Sequence, residues 1–343
     1  MIKTFSQKIG VLIAQLGTPD EPTPSALRRY LKEFLSDSRV VGQSGLLWWF
    51  LLNGIILPLR SRRSARLYKE IWTDEGSPLC AITRKQAESL QEALGDNFVV
   101  DFGMRYGNPS LGTSLRKLSE DGCESIILFP MYPQYSNGTS ASAYEAVFKA
   151  LLKLDFIPAL TVLPPYYEND HYIKALSQSI NEALEASDGK AERLILSYHG
   201  LPLKFIEAGD PYHDMCKATT AKLKPLLKLE QRKILHCYQS RFGRKKWLEP
   251  CTSQTLKALA KEGVKQVAVA CPGFLADCLE TLSEVAIEMK NDFLSKGGKS
   301  FNFIPCLNAQ ECWIQGMKEL IIARTPHISL VSSPSHSDGR MSD

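Results

Sequence analysis

The sequence lacks the signatures of several large protein classes. Its nine cysteines lie between Cys80 and Cys312 without a single Cys-x-x-Cys pair, a pattern that fits neither a zinc ribbon nor a secreted disulfide framework. No G-x-G-x-x-G follows a candidate strand and no G-x-S-x-G is present, so neither a dinucleotide-binding loop nor a serine hydrolase elbow is indicated. Unpaired cysteines are typical of the reducing cytosol, and we expect a cytoplasmic protein.

Excess charge and long hydrophobic runs are also missing. The 41 Lys and Arg residues exceed the 37 Asp and Glu residues by only four, and no basic domain stands out. We therefore expect no nucleic-acid partner. The longest apolar stretch, residues 46–59, is broken by Asn53, Gly54 and Pro58 and is shorter than the roughly 20 residues that a membrane-spanning helix needs.

What the chain contains is a regular alternation of short apolar runs and longer helical patterns over 343 residues. This alternation predicts α/β architecture with parallel sheets, and the length suits two domains. We expect two similar doubly wound domains, each with a four-stranded parallel sheet flanked by helices. The eight candidate strands are residues 11–14, 98–100, 125–129, 160–163, 194–196, 234–237, 267–270 and 301–304.

Breaks in the pattern suggest the domain boundaries. The segment Asp155–Pro158 interrupts the alternation, so we predict a first domain at 8–155 and a second at 156–324. The last helical pattern, 309–323, is expected to pack back on the first domain. Residues 325–343 are rich in Ser, Pro, His and Asp and are predicted to form a disordered tail.

One apolar insertion, residues 44–66, breaks the rhythm of the first domain, and we call it the lip. Two apolar runs, 46–52 and 55–57, are followed by the arginines Arg60, Arg62, Arg63 and Arg66. A buried helical hairpin is one interpretation. The other is a lip over a pocket for a large, flat, apolar ligand that carries carboxylates, or a surface in peripheral contact with a membrane.

Two strand ends carry candidate catalytic residues, because ligands of open α/β sheets bind beyond the carboxyl ends of the strands. His199 follows the run 194–196; its alternative is a structural histidine. After the run 267–270 come Asp277, Glu280, Glu284 and Glu288, the last three at a spacing that aligns them on one helix face. That row is either a solvated surface or a path for a divalent cation or protons.

Several motifs together resemble one family, the ferrochelatases of the bacterial type, from about Ile9 to Leu320. The segments that carry the resemblance are 15–19, 55–60, 75–79, 103–107, 132–136, 197–202, 238–243, 247–248 and 272–282. The resemblance implies two similar lobes with a porphyrin cleft between them. It also implies a lyase of heme biosynthesis that inserts Fe²⁺ into protoporphyrin IX, with both as substrates.

The resemblance assigns roles residue by residue. His199 and Glu280 match the catalytic and metal-binding pair of the family, and Glu284, Glu288 and Asp277 match a relay for metal or protons. Proton acceptor and metal ligand both stay open for His199, and iron could also enter from the opposite face, near Arg105 and Tyr106. The residues implied to line or approach the porphyrin are Leu16, Tyr68, Ser77, Arg105, Tyr106 and Trp247.

The sequence departs from some relatives at two positions. Members with a [2Fe-2S] cluster use one mid-chain cysteine and several C-terminal ones, but here Asn137 stands at the first position and no cysteine follows Cys312. We expect no cluster and no tightly bound cofactor. Cys278 stands where several relatives have histidine, so a supporting role at that position is not expected to carry over.

Three rival functions fit parts of the pattern. A chelatase for cobalt, nickel or another tetrapyrrole would use a similar His and Glu but lacks the Trp-rich lip. A heme or porphyrin carrier would use the same cleft without turnover. A nucleotide-binding regulator is disfavoured by the missing glycine-rich loops.

Overall fold

All eight predicted strands are present. The structure, a computed structural model, describes residues 6–42, 45–187, 191–243 and 245–325, so the predicted tail lies outside the described residues except for Thr325. The strands are β1 Ser6–Thr18, β2 Phe98–Gly107, β3 Cys123–Pro130, β4 Ala159–Val162, β5 Arg193–His199, β6 Ile234–Gln239, β7 Gln266–Ala270 and β8 Ser300–Phe303.

Helices separate the strands, as the sequence predicts. The α-helices are α1 Pro24–Ser36, α2 Ser38–Val41, α3 Leu46–Leu51, α4 Leu57–Ile71, α5 Pro78–Leu94, α6 Leu111–Glu120, α7 Ser142–Leu151, α8 Asp170–Ala186, α9 Leu203–Glu207, α10 Tyr212–Leu223, α11 Thr252–Lys261, α12 Lys290–Ser295 and α13 Glu311–Ile322. In the part of the chain that the structure describes, three segments are π-helical: π1 Leu52–Ile56, π2 Asn137–Ala141 and π3 Glu280–Met289. The same part contains two short 3₁₀ turns, Lys224–Leu226 and Gln231–Lys233.

The strands form two four-stranded sheets with the same topology. The orders are β2-β1-β3-β4 and β6-β5-β7-β8, and every strand pair is parallel. This confirms the predicted fold class of two doubly wound sheets. In each sheet the order reverses beside the first strand, between β1 and β3 and between β5 and β7. Ligands of doubly wound folds bind at this switch point.

The boundary predicted near residue 155 needs correction. β4 pairs with β3, with Ser125 opposite Ala159 and Leu128 opposite Val162, so the first sheet continues past that boundary. The break at 155–158 is the connection into an edge strand of the first sheet. Pairing between strands distant in sequence decides membership of a sheet, and a local break does not reveal it.

The first strand of each sheet is buried on both faces. Val11, Leu12, Ile13 and Ala14 have no exposed surface, as expected of a central parallel strand covered by helices on both sides. The helix that follows begins with Thr23 as N-cap, whose hydroxyl accepts a hydrogen bond from the backbone N–H of Ala26 at 3.3 Å.

A shared core joins the two lobes. α13 contacts both α8 and α5, and Trp313 of α13 has no exposed surface. The centroid of its ring lies 6.1 Å from the ring centroid of Tyr166, 6.0 Å from that of Tyr172 and 6.5 Å from that of Phe129. The same apolar cluster includes Leu194 of β5 in the second sheet. This core fixes the relative position of the two switch points.

Within the described residues, no helix is both long enough and apolar enough to cross a membrane.

Candidate active site

His199 ends β5, at the switch point of the second sheet. The ring is half-buried, and its Nδ1 lies 2.7 Å from the carbonyl oxygen of Gly200. A carbonyl oxygen only accepts hydrogen bonds, so Nδ1 carries the proton. Nε2 is therefore the nitrogen with a free lone pair, and the imidazole is prepared to accept a proton or to bind a metal there.

Gly200 allows the turn that places His199. A Cβ at this position would lie 2.7 Å from the backbone oxygen of Gln239, which is closer than any side chain tolerates. The backbone N–H of Gly200 donates to that same oxygen at 2.8 Å. β5 therefore ends in a fixed position against the end of β6.

Gln239 links His199 to the glutamate row. It lies directly opposite His199 in the β5–β6 register, and its Nε2 donates to the backbone oxygen of Glu280 at 2.9 Å. Its Oε1 accepts from the hydroxyl of Ser197 at 2.7 Å. The Gln239 side chain is only 1% exposed. It holds the start of π3 beside the end of β5.

The three glutamates lie along π3, where the wide π turn brings residues four apart nearly into line. Glu280 is half-buried, Glu284 is half-buried and Glu288 is exposed, so the row runs from the interior to solvent. Burial raises the pKa of Glu284; hydrogen bonds from Ser240 and the charge of His199 oppose this rise, and the charge of Glu280 adds to it. His199, Glu280 and Glu284 therefore share one electrostatic environment.

Glu284 also holds the loop after β6. Ser240 has a φ of 64°, a left-handed conformation that is unfavourable for a residue with a side chain. Its backbone N–H and hydroxyl donate to the two carboxylate oxygens of Glu284 at 2.7 and 2.6 Å. These charge-assisted bonds stabilise the strained residue.

Asp277, predicted as part of the relay, lies in the segment before π3. It is only 5% exposed. Its Oδ1 accepts from the hydroxyl of Thr281 at 2.9 Å, and its Oδ2 accepts from the amide of Asn308 at 2.8 Å. Both carboxylate oxygens therefore help to hold the segment before π3.

The first lobe supplies the opposite wall. Leu16 and Tyr68 belong to the apolar cluster that also contacts Leu279 and Leu282 of the glutamate segment. Burial raises the pKa of Tyr68 well above its usual value, and the charge of Glu280 raises it further, so the phenol stays protonated. α4 and π3 therefore pack against each other through this cluster.

Not every predicted porphyrin residue reaches the cleft surface. Tyr68 is 7% exposed and Ser77 4% exposed, and the hydroxyl of Ser77 accepts from Thr18 at 2.7 Å. Tyr68 and Ser77 therefore lie beneath the surface of the first lobe and support it. Leu16 and Trp247 are half-buried. Trp247 forms an isolated antiparallel β-bridge with Pro202, next to the turn after His199.

Arg105 and Tyr106 belong to a closed network around Asp37, a residue that the sequence interpretation missed. The Asp37 carboxylate accepts from Arg105 Nη2 at 2.7 Å, from the Tyr106 hydroxyl at 2.8 Å and from Ser142 at 2.5 Å. Burial raises the pKa of Asp37, but hydrogen bonds from Ser142, Tyr106 and the Arg39 backbone, with the Arg105 charge, outweigh it and leave the pKa below its usual value. Tyr106 has no exposed surface.

This network predicts a stability effect. Asp37→Asn leaves the half-buried Arg105 guanidinium without a counter-charge, and we expect a loss of about 3 kcal/mol in unfolding free energy at pH 7. Because the folded-state pKa of Asp37 is lowered, its contribution is present above the unfolded-state pKa and is lost as the pH falls through the folded-state value.

Urea unfolding at pH 7 measures this loss. The control is Asp292→Asn, which removes an exposed pair with Lys257 at 3.0 Å and should change the free energy by less than about 1 kcal/mol. Equal effects of the two variants would contradict the assignment.

The lip is exposed at its tip and anchored at its base. Leu46 is 73% exposed, Leu47 84% and Phe50 58%. Trp48 instead donates from its indole nitrogen to the Leu35 oxygen of α1 at 2.9 Å. The buried-hairpin interpretation therefore holds for part of the segment only, and an apolar surface remains.

Arg60 ties the lip to the second lobe. Its guanidinium carbon lies 4.6 Å from the ring centroid of Phe242, whose backbone oxygen accepts from the Trp247 indole at 3.0 Å. The remaining predicted arginines, Arg62, Arg63 and Arg66, are exposed. The C-terminal part of the lip is thus positively charged.

Among the described residues, no three His, Cys, Asp or Glu side chains form a group that could enclose a metal ion. The predicted metal pair, His199 and Glu280, is therefore not part of such a group of three among these residues.

Comparison with known proteins adds an independent observation. The ferrochelatase family profile matches residues 8–325. The chain is 47% identical over 316 residues to a ferrochelatase of Janthinobacterium sp. (strain Marseille), covering 91% of this chain and 86% of that protein. It is 46% identical over 317 residues to a ferrochelatase of Yersinia pestis (strain Pestoides F), covering 92% and 98%.

Among solved structures, SirB from Bacillus subtilis with Fe³⁺ superposes with a TM-score of 0.53 at 9% identity, covering 93% of this chain and 95% of that one. At that identity the likeness concerns the fold alone.

Proposed function

The chain belongs to the ferrochelatase family, and from that premise we propose the roles of its cleft residues in the insertion of ferrous iron into protoporphyrin. The reaction consumes Fe²⁺ and the free-base porphyrin and releases two pyrrole protons with the heme. The enzyme must therefore accept protons, strip water from the iron and hold a large apolar ring. The observation that carries the proposal is the Nδ1-protonated His199, which ends β5 at a switch point and whose charge acts on Glu284 of the glutamate row.

His199 accepts a pyrrole proton. The hydrogen bond to Gly200 leaves Nε2 unprotonated, and a neutral imidazole nitrogen is suited to act as a general base. The charge of Glu284 stabilises the imidazolium that results. The same carboxylate row then offers a route for the proton to solvent.

Glu280, Glu284 and Glu288 deliver the iron. Glu280 and Glu284 are half-buried and Glu288 is exposed, and carboxylates exchange a divalent ion readily. The alternative entry near Arg105 and Tyr106 is disfavoured, because both side chains are committed to Asp37 and a guanidinium repels a cation. Iron therefore enters along π3.

A turnover experiment tests the function against its rivals. Mixed anaerobically with protoporphyrin and Fe²⁺, the enzyme should form many equivalents of heme, whereas a carrier would stop at one. Steady-state rates with Fe²⁺, Co²⁺ and Ni²⁺ compare the metals. Product limited to one equivalent, or a strong preference for Ni²⁺, would remove the assignment.

The lip contacts a membrane surface. Exposed Leu46, Leu47 and Phe50 lie next to three exposed arginines, and this combination favours the interface of an anionic bilayer. An apolar porphyrin could then pass between the bilayer and the cleft. The proposal concerns peripheral contact only.

Vesicle binding tests the lip. Replacing Leu46, Leu47 and Phe50 together by serine should lower the fraction that co-sediments with phosphatidylcholine–phosphatidylglycerol vesicles at least about tenfold, since each lost apolar contact is worth about 1 kcal/mol or more. Leu152→Ser, at a 77% exposed leucine outside the lip, should leave binding unchanged. Unchanged sedimentation of the triple variant would refute the contact.

We also propose that the enzyme works without an iron–sulfur cluster. Asn137 stands at the position of the mid-chain cysteine ligand, and its backbone N–H donates to Asp210 at 2.8 Å. No cysteine follows Cys312 in the sequence. Iron is then a substrate and not a resident group.

A further inference from the structure

Ser240, the residue after β6, has a backbone conformation that its side chain disfavours. Its φ of 64° lies in the left-handed region, which glycine adopts without strain and serine does not. The turn out of the strand therefore favours glycine, and nothing in its backbone calls for a hydroxyl group. Residues held in such conformations cluster at functional sites, so the contact that this side chain makes is informative.

The Ser240 side chain contacts Glu284. The backbone N–H of Ser240 donates to Glu284 Oε1 at 2.7 Å, and its hydroxyl donates to Oε2 at 2.6 Å. Glycine would supply only the first of these two bonds. The bond to the second carboxylate oxygen is therefore what serine adds at this position.

Both donors are neutral, so the two bonds orient the Glu284 carboxylate without cancelling its charge. Glu145 shows the contrasting arrangement, because its carboxylate is paired with Arg39 and with Lys149, each at 2.5 Å. Among the described residues, Glu284 forms no such pair with a lysine or an arginine. A half-buried carboxylate that is oriented and still charged is suited to attract a cation.

Acceptor positions also remain on the Glu284 carboxylate. An ionised carboxylate has about four lone-pair sites, and Ser240 donates to one on each oxygen. The remaining lone pairs belong to oxygens that two hydrogen bonds hold in place. Hydrogen bonds of this kind orient metal-ligating carboxylates in proteins, and loss of the donor commonly costs about 10–100-fold in metal affinity or activity.

The position of Ser240 is itself fixed by β6. Its neighbour Gln239 ends the strand, lies opposite His199 in the register and donates to the backbone oxygen of Glu280. Two consecutive residues therefore connect β6 to two successive acids of the row. Gln239 holds the backbone of Glu280, and Ser240 holds the side chain of Glu284.

We propose that Ser240 is a positioning residue for the delivery of iron. Its N–H and hydroxyl hold the Glu284 carboxylate so that the free lone pairs receive the ion on its way inward, and Ser240 itself does not contact the metal. The inference rests on the proposed passage of iron along the glutamate row. It adds the residue that orients the middle acid of that row.

Two substitutions separate this role from the strain of the turn. Ser240→Ala removes the hydroxyl bond and retains the strain, whereas Ser240→Gly removes the same bond and relieves the strain. In anaerobic assays both should raise the KM for Fe²⁺ about tenfold or more, with kcat and the KM for porphyrin within about twofold of the parent values. The midpoint of thermal unfolding should be lower for Ser240→Ala than for Ser240→Gly.

Two controls show whether the effect passes through Glu284. Ser283→Ala removes a hydroxyl from the same helix, one that is buried and has no hydrogen-bond partner among the described residues, and should leave the KM for Fe²⁺ unchanged. Glu284→Gln removes the charge that Ser240 orients. Adding Ser240→Gly to that variant should raise the KM for Fe²⁺ further by less than about twofold, since residues that act through one contact are not additive.

Three results would overturn the inference. The first is an unchanged KM for Fe²⁺ in both Ser240 variants. The second is a defect in Ser240→Ala alone, which would assign Ser240 to the fold of the turn. The third is an effect of Ser240→Gly that is as large in the Glu284→Gln background as in the parent chain. Failure of the proposed function is distinguishable, because the parent chain itself would then stop at one equivalent of heme.

Discussion

His199→Ala should lower kcat for heme formation by about 10³-fold, within the range that a positioned general base contributes. The free Nε2 is the one imidazole nitrogen at the switch point that can take a pyrrole proton, since Nδ1 is already bonded to Gly200. Porphyrin binding should change little, because the apolar wall around Leu16 and Leu282 is untouched. Stopped anaerobic assays give kcat, and fluorescence quenching gives porphyrin affinity.

A matched control separates the role of His199 from a general loss of a histidine. His171 is exposed at the start of α8, and His171→Ala should retain the parent rate. Activity of His199→Ala within about threefold of the parent would exclude the general-base role. Partial recovery with added imidazole would support proton transfer over a purely structural role.

The sequence was sufficient for the fold class because the strands are buried on both faces. Strands such as β1 and β5 appear as continuous apolar runs, which is the pattern of parallel sheets with helices on either side. The order of these runs along the chain then predicted two sheets of four strands each. The boundary was wrong because β4 joins β3 through long-range pairing, and no local pattern records that partner.

The candidate site was predictable in part for a related reason. Strand ends carry ligand-binding residues in open sheets, so His199 and the segment from Glu280 could be found by position. Asp277 belonged to the same row by spacing, but spacing does not show that Thr281 and Asn308 occupy its carboxylate. Neither Thr281 nor Asn308 carries a sequence signal that identifies it as a hydrogen-bond partner of Asp277.

Two supporting residues were missed for a different reason. Gln239 and Asp37 act through hydrogen bonds to partners more than 40 residues away, among them Glu280 and Arg105. Such contacts leave no periodicity in the sequence. The motif 238–243 pointed to the right segment, but only the β5–β6 register explains why an amide is needed there.

The glutamate row leads to the second large effect. Glu280→Gln should lower kcat/KM for Fe²⁺ by at least about 100-fold, because the variant removes a charged ligand at the inner end of the path while keeping the size of the side chain. The Gln239 bond to residue 280 involves the backbone oxygen, so the substitution leaves that bond and the position of π3 intact. The KM for porphyrin should stay near the parent value.

Glu288→Gln provides the comparison within the same helix. Glu288 is exposed at the outer end of π3, where water can replace a lost carboxylate ligand, so kcat/KM for Fe²⁺ should fall by less than about fivefold. Entry along π3 requires that the loss of kcat/KM for Fe²⁺ be much larger for Glu280→Gln than for Glu288→Gln. Each carboxylate must replace more of the water around the iron as the ion moves inward. Equal, small effects at both positions, with a large loss of iron use in Asp37→Asn, would instead place the entry of iron at the Arg105 face.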